Sequence, residues 1–296
     1  AFFHHLHIKE QVKNYQHFGP SRTFVPTGQT EKVTEQVETG AVLVENSTGR
    51  ILSFVAGRDY RAGDNEFNFA TQAHRSPGST IKPLIVYGPG MELGKIQPGS
   101  VVADIPQPGG WPNNYGRVHY GLVSAREALT HSYNVSAVEF YRQILNDNPA
   151  KQFLMKMDIP LSAEEQENPS LALGGMERGI TVEQNTNMFA TFGNGGKFAK
   201  SYMIEKIVDS NGNVIYEHKP EPVDIFSPQT AYLTFDMMRD VIRSGTATYL
   251  PSRLKYKHVD WAGKTGTSQD HHDAWFVGTN PNVTMGVWIG YETPSS

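Results

Sequence analysis

The chain has 296 residues, of which 38% are hydrophobic and 11% aromatic, so it can form one large domain or two modest ones with a real core. Its net charge is −4, with 26 basic and 30 acidic residues. The basic residues form no stripe that could follow a phosphate backbone, which argues against a nucleic-acid partner. Disulfide scaffolds, thiolate zinc sites and cysteine nucleophiles are excluded because the chain contains no cysteine.

Residues 1–39 are mixed and polar, and they are predicted to be a linker or the edge of a neighbouring module. His4, His5 and His7 cluster here, but only Glu10 lies near them as a further ligand, so we interpret them as a linker cluster and expect no metal. No apolar run approaches the roughly 20 residues that span a bilayer, and the first residues lack the features of a signal peptide. The chain as it stands is expected to be soluble.

The first predicted element is a β-hairpin. Ala41–Val44 and Ile51–Val55 are aliphatic and β-branched runs that flank the turn signal Asn46–Gly49. Helical patterns then dominate, separated by loops rich in proline and glycine. The predicted helices are Ser79–Gly88, Ser124–Leu145, Ala150–Met157 and Thr181–Phe192.

The last hundred residues return to strands. The predicted elements are a hairpin of Met203–Val208 with Asn213–Glu217, a helix over Pro228–Ser244, and the strands Asp260–Ser268, Asp273–Gly278 and Val283–Tyr291. This order predicts an α+β fold, in which both chain ends form a mostly antiparallel central sheet around an inserted all-helical subdomain. Within a domain of residues 40–296, the sheet part is expected at about 40–62 and 197–292 and the helical part at about 70–196.

The first chemical motif, STIK at residues 79–82, follows a Pro-Gly pair at the predicted start of a helix. Residues three apart on a helix share a face, so the Lys82 amine can reach the Ser79 hydroxyl. At a helix N-terminus, free N–H groups and the helix dipole favour developing negative charge on Ser79. Alone, this motif is more often an N-cap serine followed by a surface lysine.

Two further motifs are weak by themselves. SYN at residues 132–134 lies between two helical runs and is typical of any helix cap or turn. KTGT at residues 264–267 lies in a predicted strand, where a glycine often marks close approach by a ligand or another backbone. A β-bulge at a solvated edge is an equally good interpretation of the third motif.

Taken in order, the three motifs resemble those of penicillin-binding proteins and class A β-lactamases. The longer segments FNFATQAHRSPGSTIKP, SAREALTHSYNVSAVEF and WAGKTGTSQDHHDAWFVG narrow the resemblance. They are similar to the transpeptidase domain of class A (bifunctional) penicillin-binding proteins, and the similarity runs from about Gly40 to Tyr291. The resemblance implies the β-lactamase/transpeptidase-like fold.

The resemblance also implies acyl transfer from peptides that end in D-Ala-D-Ala, with no metal or organic cofactor. Ser79 would be the nucleophile and Lys82 its base, provided that burial and the nearby Lys264 charge keep the Lys82 amine neutral. Ser132 would relay a proton toward the leaving D-alanine nitrogen. Asn134 would hold Lys82 and the substrate amide in place.

The third motif would bind the substrate's C-terminus. Lys264, Thr265 and Thr267 would contact the terminal carboxylate, and Gly266 would let the extended substrate backbone lie against the strand. The backbone N–H groups of Ser79 and Thr267 would form the oxyanion hole. A stem-peptide amine would then attack the acyl-enzyme and form a peptidoglycan cross-link, whereas a β-lactam would acylate Ser79 and remain there.

The family's parent proteins are expected to be anchored on the outer face of the bacterial cytoplasmic membrane, with a glycosyltransferase domain and cell-wall synthesis partners. Neither that domain's acidic cluster before Gly40 nor the usual helix after Tyr291 is present, so we expect a piece of a longer protein with one sheet face undercovered. Two alternatives stay open. One is a hydrolase of the same fold, either a D,D-carboxypeptidase or a β-lactamase. Glu164 and Asn168 have the spacing that a class A β-lactamase would use to activate water, but ordinary helix–loop positions are the favoured interpretation of both residues. The other is a non-catalytic β-lactam sensor domain.

Overall fold

The computed structural model describes residues 21–24, 33–58, 67–256, 258–268 and 272–291. His4, His5 and His7 lie outside the described residues, as does most of the predicted linker. Within these ranges the strands are β1 (Ser21–Phe24), β2 (Val33–Glu45), β3 (Ile51–Val55), β4 (Val101–Asp104), β5 (Gly121–Ser124), β6 (Lys197–Phe198), β7 (Lys206–Val208), β8 (Val214–Glu217), β9 (Val223–Asp224), β10 (Ala262–Thr267), β11 (Asp273–Thr279) and β12 (Val283–Tyr291).

The large sheet is antiparallel and has the order β1-β2-β12-β11-β10, with β3 paired to β2. β2 and β12 pair along their whole shared length, from Glu45 opposite Val283 to Val37 opposite Tyr291. Both ends of the chain therefore build the sheet, as predicted. β10, which carries the KTGT motif, lies at the sheet edge in the described part of the chain.

The α-helices occupy the middle of the chain and one long stretch before β10. They are α1 (Gly88–Glu92), α2 (Ala125–Thr130), α3 (Asn134–Arg142), α4 (Ala163–Glu167), α5 (Val182–Gly193), α6 (Pro228–Arg243) and α7 (Leu250–Arg253). The predictions for α5 and α6 are confirmed to within one residue at each end. Thr181 and Ser227 are the N-caps, since their side chains accept hydrogen bonds from backbone N–H groups in the first turn.

Three helix predictions need correction. The predicted helix Ala150–Met157 is a π-helical segment followed by a 3-10 turn. The predicted helix Ser124–Leu145 is interrupted, because α2 ends at Thr130 and α3 begins at Asn134. Between them Ser132 has a positive φ of 60°, which a continuous right-handed helix does not allow. The predicted helix Ser79–Gly88 starts as a 3-10 turn and continues as a π-helical segment from Pro83. Proline has no N–H to donate, so the regular hydrogen-bond ladder is broken there.

Three strand predictions also change. β2 begins at Val33, well before the predicted Ala41, so residues 33–39 belong to the sheet. The subdomain expected to be all-helical contains the antiparallel pair β4–β5. Among the described residues of 197–292, only β10, β11 and β12 join the large sheet, because β7 and β8 form a separate exposed hairpin and β6 pairs with β9.

The core lies on the side of the sheet that faces the helices. Val42, Val44 and Trp288 from the sheet pack with Val182 and Ala190 of α5, and each of the three valines contributes about 1.5–3 kcal/mol when fully buried. A larger apolar cluster fills the helical part and includes the segment that follows Ser79. The opposite sheet face carries half-buried apolar side chains, namely Leu43, Met285, Val287 and Ile289.

Candidate active site

The STIK motif lies where the helical part meets the sheet. Gly78–Ile81 forms a 3-10 turn, and the Lys82 backbone N–H donates to the Ser79 carbonyl. Ile81 and Leu84 are fully buried and anchor this segment in the apolar core. Lys82 lies between them in sequence, and its side chain is fully buried as well. The surface lysine of the alternative interpretation is therefore excluded.

The buried Lys82 amine is held entirely by the SYN motif. Nζ lies within hydrogen-bond distance of the Ser132 carbonyl at 2.7 Å, the Tyr133 carbonyl at 3.2 Å and Asn134 Oδ1 at 2.8 Å. The Ser132 hydroxyl oxygen lies 3.3 Å from the same amine. The break between α2 and α3 is what turns these acceptors toward Lys82. The structure thus brings the first two motifs into direct contact.

The third motif joins them through the same serine. Lys264 Nζ donates to Ser132 Oγ at 2.8 Å and to the Thr265 carbonyl at 2.9 Å, and the Lys264 side chain is fully buried. The Ser132 hydroxyl therefore bridges two amines, one from the helical part and one from the sheet. Lys82, Ser132, Asn134 and Lys264 form one continuous hydrogen-bonded group.

Both amines are held in environments that disfavour their charge. Burial, followed by the Lys264 charge, lowers the pKa of Lys82 well below its ordinary value, while the Asp104 carboxylate acts in the opposite direction. Burial also lowers the pKa of Lys264 to about 7. A neutral amine can accept a proton, so the site contains a candidate general base that needs no histidine.

The Ser79 hydroxyl is half-buried and makes no hydrogen bond to any residue in the described part of the chain. The Lys82 amine is turned toward Ser132 and Asn134, so a direct contact between nucleophile and base stays a prediction. Catalytic hydrogen bonds are often long before substrate binds and tighten in the reacting complex.

Glycines let β10 lie directly against the turn that carries Ser79. A Cβ on Gly78, whose φ is +51°, would lie 2.4 Å from the Thr267 carbonyl oxygen. A Cβ on Gly266 would lie 2.7 Å from Thr80 Cγ2 and 2.8 Å from the Pro77 carbonyl oxygen. The backbone that approaches Gly266 most closely is therefore the protein's own. Close approach by a substrate backbone at this position stays a prediction.

The family is decided by the sequence comparison. A family model described as the penicillin binding protein transpeptidase domain matches residues 39–293. The chain belongs to this family. The similarity to class A penicillin-binding proteins predicted from the motifs is thereby confirmed, together with the β-lactamase/transpeptidase-like fold.

Individual relatives agree with the family assignment. The chain is 37% identical over 268 residues to penicillin-binding protein 1F of Bacillus subtilis, which covers 87% of this chain and 36% of that protein. It is 34% identical to penicillin-binding protein 1A of Aquifex aeolicus, over 99% of this chain and 40% of that protein. The chain thus spans less than half the length of these relatives.

Solved structures have the same architecture. Penicillin-binding protein 1A from Haemophilus influenzae superposes with a TM-score of 0.74 at 25% identity, covering 86% of this chain and 43% of that chain. The PonA1 protein from Mycobacterium tuberculosis, solved in complex with penicillin V, superposes with a TM-score of 0.71 at 23% identity, over 86% of this chain and 69% of that chain. At 23% identity, the similarity to the PonA1 protein shows the fold alone.

The residues expected to bind a carboxylate lie together on β10 of this penicillin-binding domain. Thr267 is exposed, and the Thr265 hydroxyl is half-buried and hydrogen-bonded to the Thr246 hydroxyl at 2.6 Å. Thr246 lies in the segment after α6, and no role was predicted for it from the sequence. Carboxylate binding by Lys264, Thr265 and Thr267 stays a prediction.

The sequence motifs did not predict three residues that contact this site. Asp104 and Asn114 contact the start of α3, and Thr246 contacts Thr265. Asp104 and Asn114 lie in segments with ordinary strand-end or loop composition, whereas Thr246 lies in IRSGTATY, a segment that resembles the family but was assigned no role. Within the described ranges there is no cluster of His, Asp or Glu that could hold a metal ion, and no helix long and apolar enough to cross a membrane.

We expect Gly266→Ala to destabilise the domain by about 1–3 kcal/mol, because the added Cβ would collide with Thr80 and the Pro77 carbonyl. The same collision would displace Ser79, so acylation by penicillin should also slow. Gly99→Ala is the matched control, since nothing lies within 4 Å of its added Cβ. Urea unfolding and the acylation rate of both variants check this. Equal stability of the two variants would contradict the close packing.

The buried Lys264 amine should make the domain more stable as the pH rises from about 7 to about 10.5. In this window the unfolded chain binds the proton and the folded chain does not, so raising the pH removes a cost of folding. Each pH unit contributes about 1.4 kcal/mol, which amounts to roughly 5 kcal/mol over the window. Unfolding free energies of Lys264→Met should rise less steeply over this range than those of an exposed-site control, Lys156→Met. Parallel pH curves would contradict a lowered pKa.

Proposed function

We propose that this domain is a serine-type D-Ala-D-Ala transpeptidase that cross-links peptidoglycan stem peptides through an acyl-enzyme on Ser79. The family's transpeptidase activity supplies the reaction type. The assignment of residues is supported mainly by the position of the Ser132 hydroxyl. This hydroxyl lies 3.3 Å from the Lys82 amine and 2.8 Å from the Lys264 amine. This arrangement can move a proton between a nucleophile on one side and a leaving group on the other.

In the first half-reaction Ser79 Oγ attacks the carbonyl carbon of the penultimate D-alanine. The hydroxyl proton passes to the neutral Lys82 amine as the new C–O bond forms. The negative charge on the carbonyl oxygen is stabilised by the N–H groups of Ser79 and Thr267, each donor being worth about 3–4 kcal/mol in sites of this kind. The C–N bond then breaks, and the proton reaches the departing D-alanine nitrogen through Ser132.

The substrate's C-terminal carboxylate is bound by Lys264, Thr265 and Thr267 before and during this step. β10 lies at the sheet edge among the described strands, so an extended peptide can add alongside it by main-chain hydrogen bonds. A carboxylate near Lys264 also favours the charged form of that amine, in opposition to its burial.

In the second half-reaction an amine of a neighbouring stem peptide attacks the ester carbonyl. The amine loses its proton to the same base, the C–O bond to Ser79 breaks, and the serine hydroxyl is restored. A β-lactam follows the first half-reaction only, because its ring-opened leaving group stays attached to the acyl carbon and occupies the acceptor's place. Long-lived acylation by β-lactams follows from this.

The full-length protein is proposed to sit on the outer face of the bacterial cytoplasmic membrane, with a membrane anchor, a glycosyltransferase domain and cell-wall synthesis partners. Its similarity to penicillin-binding proteins 1F and 1A, which are more than twice the length of this chain's matched part, supports this placement.

A β-lactamase of the same fold has less support. Glu164 is exposed on α4, and the Asn168 side chain accepts a hydrogen bond from the Ser170 N–H, which caps the next helical turn. Both residues therefore have ordinary structural positions. A D,D-carboxypeptidase or a non-catalytic β-lactam sensor domain would share the residues around Ser79.

Incubation with a D-Ala-D-Ala peptide or thioester and an amine acceptor separates these functions. A transpeptidase gives an amide between donor and acceptor, whereas a carboxypeptidase gives the free acid alone and a sensor releases no D-alanine. With a labelled penicillin, a transpeptidase acyl-enzyme should last minutes to hours. An adduct that is hydrolysed within milliseconds would identify a β-lactamase and contradict the proposal.

A further inference from the structure

Helix α3, which begins at the active-site residue Asn134, has no N-terminal cap of its own. Its N-cap residue is Tyr133, whose side chain makes no capping hydrogen bond. The first N–H groups of a helix lack intrahelical acceptors, and leaving them unpaired inside a protein is costly. Here the acceptors are two side chains distant in sequence, one at the end of β4 and one in the segment between β4 and β5.

Asn114 pairs with the first two amides. Its Oδ1 accepts from the Asn134 N–H at 2.7 Å and from the Val135 N–H at 3.0 Å. Its Nδ2 donates to Asp104 Oδ1 at 2.6 Å and to the Val118 carbonyl at 2.9 Å. Asn114 is buried, and both ends of its side-chain amide are used. The amide cannot rotate without breaking these bonds.

Asp104 pairs with the third amide. Its Oδ2 accepts from the Ser136 N–H at 3.3 Å and from the Ser136 hydroxyl at 2.6 Å. Its Oδ1 accepts from Asn114 and from the Tyr120 N–H at 3.2 Å, and His119 Nδ1 lies 3.7 Å away. The carboxylate is fully buried. A buried charge of this kind is tolerated because each oxygen has donors.

The same segment fixes the side chain of Asn134. Asn134 Nδ2 donates to the Asn113 carbonyl at 2.9 Å, which leaves Oδ1 to face the Lys82 amine at 2.8 Å. Because a carbonyl oxygen accepts only from the NH₂ end of the amide, this contact determines which atom Lys82 meets. The segment after β4 thus sets both the backbone and the side chain at the start of α3.

The turn just before α3 is the part of the site that needs this support. Ser132 has φ of 60°, a left-handed conformation that is strained for a residue with a Cβ and persists only where surrounding contacts hold it. All four acceptors around the Lys82 amine come from this turn and the first residue of α3. A small shift of the turn would therefore move the amine.

We propose that Asp104 and Asn114 are positioning residues for the acylation step, which act by capping α3 from outside and so hold the Ser132–Asn134 turn around Lys82. The inference rests on the proposed function, in which Lys82 is the base for Ser79. Neither residue touches the substrate. Their removal should slow the chemical step and leave β-lactam binding largely unchanged, since misplacement of a catalytic group costs up to about 10²-fold in rate.

The test measures acylation of the whole 296-residue chain by a labelled penicillin. The concentration dependence of the rate separates the acylation rate constant from the dissociation constant of the initial complex. Asn114→Ala is expected to lower the rate constant about tenfold to a hundredfold, with a dissociation constant within about threefold of the wild-type value. All rates are taken well below the melting temperature of each variant.

Exchanging the side chains of residues 104 and 114 tests whether the acylation rate can be restored. Asn114→Asp alone places a second carboxylate 2.6 Å from Asp104 and should slow acylation strongly. Adding Asp104→Asn restores one amide facing one carboxylate, with acceptors still aimed at the amides of α3. The Val118 carbonyl and the Tyr120 N–H lose their partners in this exchange, so the recovery is expected to be partial. The double variant should recover at least tenfold in the acylation rate constant over Asn114→Asp. Loss of stability alone would not produce such a recovery in the rate of folded protein.

Ser227→Ala is the matched control, because Ser227 caps α6 by accepting from the Thr230 N–H at 3.2 Å, away from Lys82. It should lower the melting temperature by about 2–4 °C and leave the acylation rate constant unchanged. If Asn114→Ala folds and acylates at the wild-type rate, the inference is overturned. If it does not fold, equal rates for Asn114→Asp and the double variant overturn it. A wild-type chain that forms no adduct overturns the proposed function itself.

Discussion

Replacing Ser79 with alanine is expected to abolish the covalent penicillin adduct, with a loss of acylation of at least about 10⁴-fold. The variant lacks the oxygen that forms the ester bond, and the nearby Ser132 hydroxyl is already engaged by the Lys82 and Lys264 amines. The fold should be unaffected, because the Ser79 hydroxyl makes no hydrogen bond within the described part of the chain. Intact-protein mass spectrometry with peptide mapping measures the adduct and its position.

A serine elsewhere on the surface serves as the control for this variant. Ser252 is exposed and its hydroxyl donates only to the Tyr249 carbonyl, so Ser252→Ala should give one adduct per chain, as the wild-type chain does. An adduct that persists in Ser79→Ala would place the nucleophile on another residue.

Replacing Lys82 with methionine is expected to slow acylation by about 10²–10⁴-fold, the usual contribution of a general base. In the wild-type chain the rate should rise with pH as the Lys82 amine loses its proton. Because burial and Lys264 lower the pKa of Lys82, this rise should occur well below the range of an ordinary lysine. Lys82→Met should lose that rise. Stopped-flow or quenched acylation rates across pH measure both effects.

Stability must be measured alongside these rates. Methionine fills most of the space of Lys82 but leaves the Ser132 and Tyr133 carbonyls without their donor, so some destabilisation is expected. Lys95→Met, at an exposed ion pair with Asp147, is the control that should keep the wild-type pH–rate profile. A wild-type profile in folded Lys82→Met would rule out Lys82 as the base.

Much of the site could be predicted because its chemistry lies in short motifs of fixed order. Lys82, Ser132, Asn134 and Lys264 are distant in sequence, and the structure joins them by hydrogen bonds, as the order of the motifs predicts. The sheet that is built from both ends of the chain could be predicted as well. The β-branched runs lie near both ends, and each run has few other strands with which it could pair.

The local geometry around the motifs could not be predicted, because it depends on tertiary contacts. Nothing in the sequence around Ser132 marks a left-handed residue, since the turn contains neither glycine nor proline and is held by distant side chains. Gly266 was correctly associated with a close approach, but the sequence could not say that Thr80 and Pro77 would be the approaching groups. Asn114 and Asp104 are separated by 20 and 32 residues in sequence from the helix amides that they contact, so no periodic pattern reveals them.

A crystal structure of the chain after reaction with penicillin would test the central claim most directly. The account predicts an ester to Ser79 Oγ, with the acyl oxygen bound by the N–H groups of Ser79 and Thr267 and the drug's carboxylate at Thr265 and Thr267. The Lys82 amine should lie within hydrogen-bond distance of Ser79 Oγ and Ser132 Oγ. An adduct on another residue, or an ester whose oxygen points away from β10, would contradict it.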